Sequence, residues 1–288
     1  MDSLRMAAAV CICVWMSFGA SGADFKPVSD DRFVADYTAA DGPVKYGVLV
    51  LGGSGGGKPE PLADKIADMG YSVLSLAYFK AEGLPAELNE IPLEYFDAPK
   101  KWLLDQKETR SDGLIVVGWS KGAELALLLA SHDSSYKGVV GIAPSHVVWA
   151  GILSDWTKTP SSSWTKDGEP LPHVPFAKNV QINSLVDLYA ASLEQVDLVA
   201  DATIKTENIE ASVMLFSGGK DEIWPASEMA DTVCQRMGAV QKSCVHHAYP
   251  EAGHLLDEDI IIGGTEESNA AANADSKVKI KAFLSQLP

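Results

Sequence analysis

An α/β architecture, with a mostly parallel central sheet and helices on both of its faces, follows from three features of the sequence. Strand-like apolar runs alternate with helix-length segments, a glycine loop directly follows the first long run, and a Gly-x-Ser-x-Gly turn joins a later run to an apolar helix. The chain has 288 residues, of which 47% are hydrophobic and 22% charged, so one sizeable globular domain with a large core is expected.

The elements read in order as follows. Residues 46–51 form a strand, and residues 60–69 a helix with Pro61 in its first turn and Gly70 closing it. A strand spans 71–78, then a helix spans 93–106 with a disturbance at Pro99. The strand at 114–119 runs into the helix at 121–131, and another strand follows at 138–143. Regularity then stops. From Pro144 to about residue 180, Trp149, Trp156, Trp164, Pro160, Pro170, Pro172 and Pro175 gather around Ser161-Ser162-Ser163. Such a stretch between core strands is a cap-like insertion over the site or, in the alternative, tryptophan packing over the sheet. A strand at 211–217, a helix after Pro225 and a strand-like run ending at Tyr249 lead to a second irregular stretch, 255–273. A last helix, 274–287, closes the domain.

At the amino end, Arg5 precedes an apolar stretch from Met6 to Ala20, then Ser21-Gly22-Ala23 and polar Asp24. This reads as a signal peptide over residues 1–23, hence an exported protein, periplasmic or secreted, with an uncleaved anchor as the alternative. No other segment approaches the length of a membrane span, so stable membrane insertion is not expected. A formal charge of −16 disfavours nucleic acid and anionic membranes as partners. Cys11 and Cys13 leave with the signal. Cys234 and Cys244 remain, which in an exported protein invites a disulfide, two free buried thiols being the alternative. Oligomeric state is not readable.

Val116 to Glu124 reads Val-Val-Gly-Trp-Ser-Lys-Gly-Ala-Glu, a strand running into a tight turn and then a helix. This is the nucleophile elbow of an α/β-hydrolase fold: Gly118 and Gly122 clear space around Ser120, and the helix points N–H groups at the charge that develops on an attacked carbonyl. Asp221, after the run 211–217, is placed to accept the Nδ1 proton of an imidazole, with Glu222 as the fallback. His254, in Tyr-Pro-Glu-Ala-Gly-His, is the base; His246 and His247 are second choices, while His132, His146 and His173 read as surface, insertion or strand residues. The order Ser, Asp, His is the one this fold uses. Gly52-Gly53-Ser54-Gly55-Gly56-Gly57 brings backbone N–H groups close to a ligand oxygen, so Ser54 and Lys121 are the expected oxyanion donors. A phosphate loop is disfavoured because Pro59 follows Lys58 where a magnesium-holding Ser or Thr would stand. Adjacent His246 and His247 have no third ligand at zinc spacing, so neither a metal nor a cofactor is expected.

Gly-Trp-Ser-Lys-Gly-Ala-Glu-Leu at 118–125, Ile-Pro-Leu-Glu-Tyr-Phe at 91–96 and Tyr-Pro-Glu-Ala-Gly-His at 249–254 resemble the C-terminal catalytic domain of the acyl-CoA thioesterase and bile acid-CoA:amino acid N-acyltransferase family, related to dienelactone hydrolase. The runs 52–57 and 263–270 are similar too. The resemblance implies Ser120 as nucleophile, Asp221 as acid and His254 as base, acting on a small-molecule acyl ester or thioester through an acyl-enzyme. Amino-acid-conjugating members use cysteine as nucleophile, so serine implies hydrolysis rather than transfer. Only a short segment separates the expected signal from the first core strand, so the β-sandwich domain that precedes the catalytic domain in the long members is not expected here. Carboxylester hydrolysis outside the cell, transfer to an amine or alcohol, and a non-catalytic binding protein are the alternatives.

Overall fold

The computed structural model describes residues 23–155, 157–178 and 180–288. Residues 1–22, which hold all but the last residue of the expected signal peptide, and Trp156 of the expected insertion lie outside the described residues. In chain order the elements are β1 (Lys26–Pro27), β2 (Val34–Thr38), β3 (Lys45–Leu51), α1 (Glu60–Ala67), β4 (Val73–Ala77), β5 (Ile91–Pro92), α2 (Asp97–Leu104), β6 (Thr109–Trp119), α3 (Lys121–His132) and β7 (Tyr136–Ile142). There follow β8 (Trp164–Lys166), β9 (Glu169–Pro170), α4 (Leu185–Leu193), α5 (Val196–Ala202), β10 (Ser212–Gly218), α6 (Ala226–Ala239), β11 (Cys244–Tyr249) and α7 (Glu266–Gln286).

The main sheet has the order β1-β2-β4-β3-β6-β7-β10-β11. β1, β2 and β4 pair antiparallel, and every pair from β4 through β11 is parallel. Its central strands are apolar on both sides, as a sheet covered on both faces requires. Leu49, Leu51, Val116, Val139 and Leu215 face the core shared with α2, α3 and α6. Val48, Val50, Val117, Val140 and Phe216 face the core shared with α1 and α7. The expected α/β-hydrolase architecture is therefore present, and the parallel strands deliver their C-terminal ends, with the loops that follow, to one edge.

Three local expectations change. The disturbance in the helix near Pro99 is a 3-10 turn, Leu93–Phe96, ahead of α2, and Pro99 sits in the first turn of α2, where its missing N–H costs nothing. The last helix begins at Glu266, not Ala274, because Thr265 and Ser268 cap it reciprocally. The chain after the insertion carries two helices, α4 and α5, that were not expected.

Trp149 and Trp164 are fully buried. Trp164 joins the core beneath β3 and β4, while Trp149 packs with Tyr189 of α4 and with Trp224. Trp149 and Trp164 thus pack against the domain rather than stand over it in solvent. Cys234 of α6 and Cys244 of β11 are joined in a disulfide with Cα atoms 5.1 Å apart.

Candidate active site

Ser120 stands between β6 and α3 with φ 55° and ψ −125°, a conformation that throws its side chain off the end of the strand. The turn closes tightly enough to dictate glycine on either side. A Cβ on Gly118 would lie 2.1 Å from the Gly122 carbonyl oxygen, and one on Gly122 would lie 2.4 Å from the carbonyls of Leu51 and Gly52. The same packing brings the glycine loop to the serine: a Cβ on Gly53 would be 3.1 Å from the Ser120 Cβ. Ser54, the expected donor, follows Gly53 and is exposed. Lys121 opens α3, so its N–H has no acceptor within the helix. Lys58 pairs with Asp36, which takes its charge away from the loop.

His254 Nε2 lies 2.8 Å from Ser120 Oγ, and His254 Nδ1 lies 2.7 Å from Asp221 Oδ2. All three side chains are buried. The other carboxylate oxygen, Asp221 Oδ1, accepts from the N–H groups of Ile223 at 2.7 Å and Trp224 at 3.1 Å, so the acid is held by backbone while it holds the imidazole. The indole of Trp224 meets the His254 ring edge-on, with centroids 5.6 Å apart. Glu222, the fallback acid, is exposed.

The histidine loop is clamped by α7. Asn269 accepts from the Gly253 N–H at 2.7 Å and donates to the Gly263 carbonyl at 3.2 Å, and His254 N–H donates to Ile262 O at 2.8 Å. Asn269 was missed in the sequence, although it lies in the 263–270 run that carries part of the family resemblance. Glu124 was also missed. It is fully buried, with its Oε1 accepting from Trp164 Nε1 at 2.7 Å and Trp149 N at 3.2 Å.

The second-choice histidines are engaged elsewhere. His246 bridges Ser217 Oγ at 2.7 Å and Asp231 Oδ1 at 2.8 Å, and His247 stacks on Phe216. Burial lowers the pKa of His247. His146 lies half-buried at the start of the expected insertion, and burial, with help from the Arg236 charge, pushes its pKa down to about 4. Among the described residues, no group of three or more His, Cys, Asp or Glu side chains is arranged to hold a metal ion.

A serine, an imidazole and a carboxylate in one hydrogen-bonded line, with helix and loop N–H groups beside the serine, is an arrangement suited to acyl transfer. The family model for the BAAT / Acyl-CoA thioester hydrolase C terminal matches residues 91–287, more than half of the chain. The chain belongs to this family. Human acyl-coenzyme A thioesterase 2, mitochondrial, is 28% identical over 83% of this chain and 51% of its own length. Human acyl-coenzyme A thioesterase 1 is 28% identical over 83% of this chain and 59% of its own. The chain thus spans between half and three fifths of these relatives. Among solved structures, a sugar hydrolase from Lactococcus lactis superposes with a TM-score of 0.63 at 16% identity, covering 91% of this chain and 98% of that one. A Pyrococcus furiosus esterase superposes with a TM-score of 0.58 at 15% identity, covering 92% and 93%. At that identity the likeness is one of fold.

Proposed function

We propose that this member of the BAAT / acyl-CoA thioester hydrolase family hydrolyses acyl thioesters through a Ser120–His254–Asp221 triad. The observation that carries it is the unbroken line from Ser120 Oγ through both nitrogens of His254 to Asp221. Ser120 Oγ attacks the acyl carbonyl as its proton passes to His254 Nε2. Asp221 holds Nδ1–H and stabilises the imidazolium. The oxyanion of the tetrahedral intermediate is met by the N–H groups of Lys121 and Ser54. Collapse breaks the carbonyl–sulfur bond, and the leaving thiol takes the proton from His254. Water, deprotonated by His254, then attacks the acyl-serine and releases the acid. The chemistry needs no cofactor.

Beside the imidazole, Trp224, Tyr189 and Trp149 form an aromatic wall, with Tyr189 edge-on to both tryptophans. All three rings are buried, so they back the imidazole from the interior of the protein. A cavity of about 450 Å³ between Ile152, Leu153, Phe176 and Leu188 does not touch Ser120 or His254. It is joined to them through Phe176, Tyr189 and Trp224, and we give it no part in the reaction.

Residues 1–23 are proposed as a cleaved signal, which the Cys234–Cys244 disulfide supports, since disulfides persist in oxidising compartments. The same disulfide favours a second reading. CoA thioesters are made inside the cell, so an exported enzyme would meet carboxylic esters instead.

Acid quenching during turnover, followed by peptide mass spectrometry, tests the proposal. An acyl adduct on the peptide containing Ser120 is expected. Turnover that persists in S120A, or an adduct on another residue, would overturn it.

A further inference from the structure

Lys121 and Glu124 form an ion pair inside the protein. Lys121 Nζ lies 2.6 Å from Glu124 Oε2, with side chains 1% and 0% exposed. Burial pushes the Lys121 pKa down and the Glu124 pKa up, and each charge opposes the shift of the other. As a source of stability such a pair is poor, because well-packed apolar residues of the same volume commonly do as well or better. A lysine at a helix N-terminus is also unfavourable with the helix dipole until a carboxylate offsets it. Its position suggests another purpose.

Lys121 is the residue after Ser120, and its peptide N–H is one arm of the oxyanion site in the reading above. Burying its side chain against Glu124 ties that peptide to the interior. Glu124 Oε1 meanwhile accepts from the Trp164 indole. The Trp164 ring packs on Tyr78 with centroids 5.7 Å apart, and the Tyr78 hydroxyl donates to the Gly52 carbonyl at 2.5 Å. Gly52 opens the glycine loop, the other arm. The second hydrogen bond to Oε1, from Trp149 N, reaches the aromatic wall beside His254. One buried carboxylate is therefore connected to the Lys121 peptide, to the glycine loop and to Trp149 of the aromatic group beside His254.

We propose that the Lys121–Glu124 pair is a positioning device for both arms of the oxyanion site, acting on the Lys121 peptide directly and on the glycine loop through Trp164 and Tyr78. The proposal rests on the serine-hydrolase reading. Donors must sit roughly 2.7–3.1 Å from the developing oxyanion, and a displacement of about 1 Å costs on the order of a hundredfold in rate. A device that fixes both donors thus acts on rate rather than on substrate affinity.

The test is the rate at which a fluorophosphonate labels Ser120, since this depends on the nucleophile and the oxyanion site but not on which acyl group is the natural one. In that step the Ser120 Oγ–phosphorus bond forms as the phosphorus–fluorine bond breaks, fluoride leaves and the serine proton passes to His254. The probe is applied to the unaltered protein, K121M/E124Q and Y78F, each with a thermal melt. The double variant removes the charge pair but keeps an oxygen for the Trp164 and Trp149 N–H groups; it is expected to melt cooperatively, and to label about tenfold to a hundredfold more slowly. Y78F, which loses one hydroxyl, is expected to label about threefold to tenfold more slowly. With a hydrolysable ester the loss is expected in kcat, with KM unchanged. A folded double variant labelled at the unaltered rate overturns the proposal; should the double variant fail to fold, Y78F labelled at that rate does so. Absence of labelling in the unaltered protein overturns the serine-hydrolase reading itself, and this proposal with it.

Discussion

His254 Nε2 reaches Ser120 Oγ at 2.8 Å across 134 residues of sequence. The contact exists because β6 and β10, both parallel strands of one sheet, end at the same edge, where the loops carrying Ser120 and Asp221 emerge and the His254 loop follows β11.

Removing the serine hydroxyl is expected to abolish catalysis while leaving the fold intact. S120A should lower kcat by about a thousandfold or more, with an unchanged melting temperature. Steady-state rates beside a thermal melt check this.

Asn269→Ala removes both hydrogen bonds that clamp the histidine loop. A loss of about 1–3 kcal/mol in stability is expected, as for orphaned buried polar groups. A fall in kcat of about tenfold should accompany it, since the base must stay within hydrogen-bond reach of the serine. Denaturant unfolding and kcat measured on one preparation give both numbers.

The disulfide closes a short loop, with 10 positions separating Cys234 from Cys244. Chain entropy assigns such a loop about 2–3 kcal/mol, so C234S/C244S should unfold at lower denaturant by that amount. Adding a thiol reductant to the unaltered protein should reproduce the shift.

His146 gives a pH dependence of definite sign. Its folded pKa, about 4, lies below the ordinary histidine value of 6.5, so the unfolded chain binds a proton that the folded one refuses. Stability from this residue is fully present above pH 6.5 and is lost as pH falls from there towards about 4. The contribution is on the order of 3 kcal/mol. Unfolding free energies of H146N and the unaltered protein should therefore diverge on acidification, the variant falling less.

The elbow was legible because its demands are local. Two glycines around a serine, between a strand and a helix, are fixed by contacts within a few residues and with the neighbouring loop. Asp221 and His254 were legible because each directly follows a strand-like run, in an order the topology imposes. Glu124 was not. In sequence it is an ordinary first-turn acid of a helix, and its burial depends on Trp149 and Trp164 arriving from 25 and 40 residues away. Asn269 was hidden likewise, since the start of α7 is set by the Thr265–Ser268 cap while the residues before it are irregular. Trp149 and Trp164 stand in the stretch 144–180 whose composition offered either a cap or packing over the sheet, and composition alone does not tell the two apart; both are buried against the domain.

The most direct test of the central claim is hydrolysis by the protein of a short-to-long series of acyl-CoA thioesters beside matched p-nitrophenyl esters, with S120A as the blank. The account expects thioester turnover that vanishes in S120A. Turnover of esters alone would move the assignment to a carboxylesterase, and no Ser120-dependent turnover of either would contradict the account.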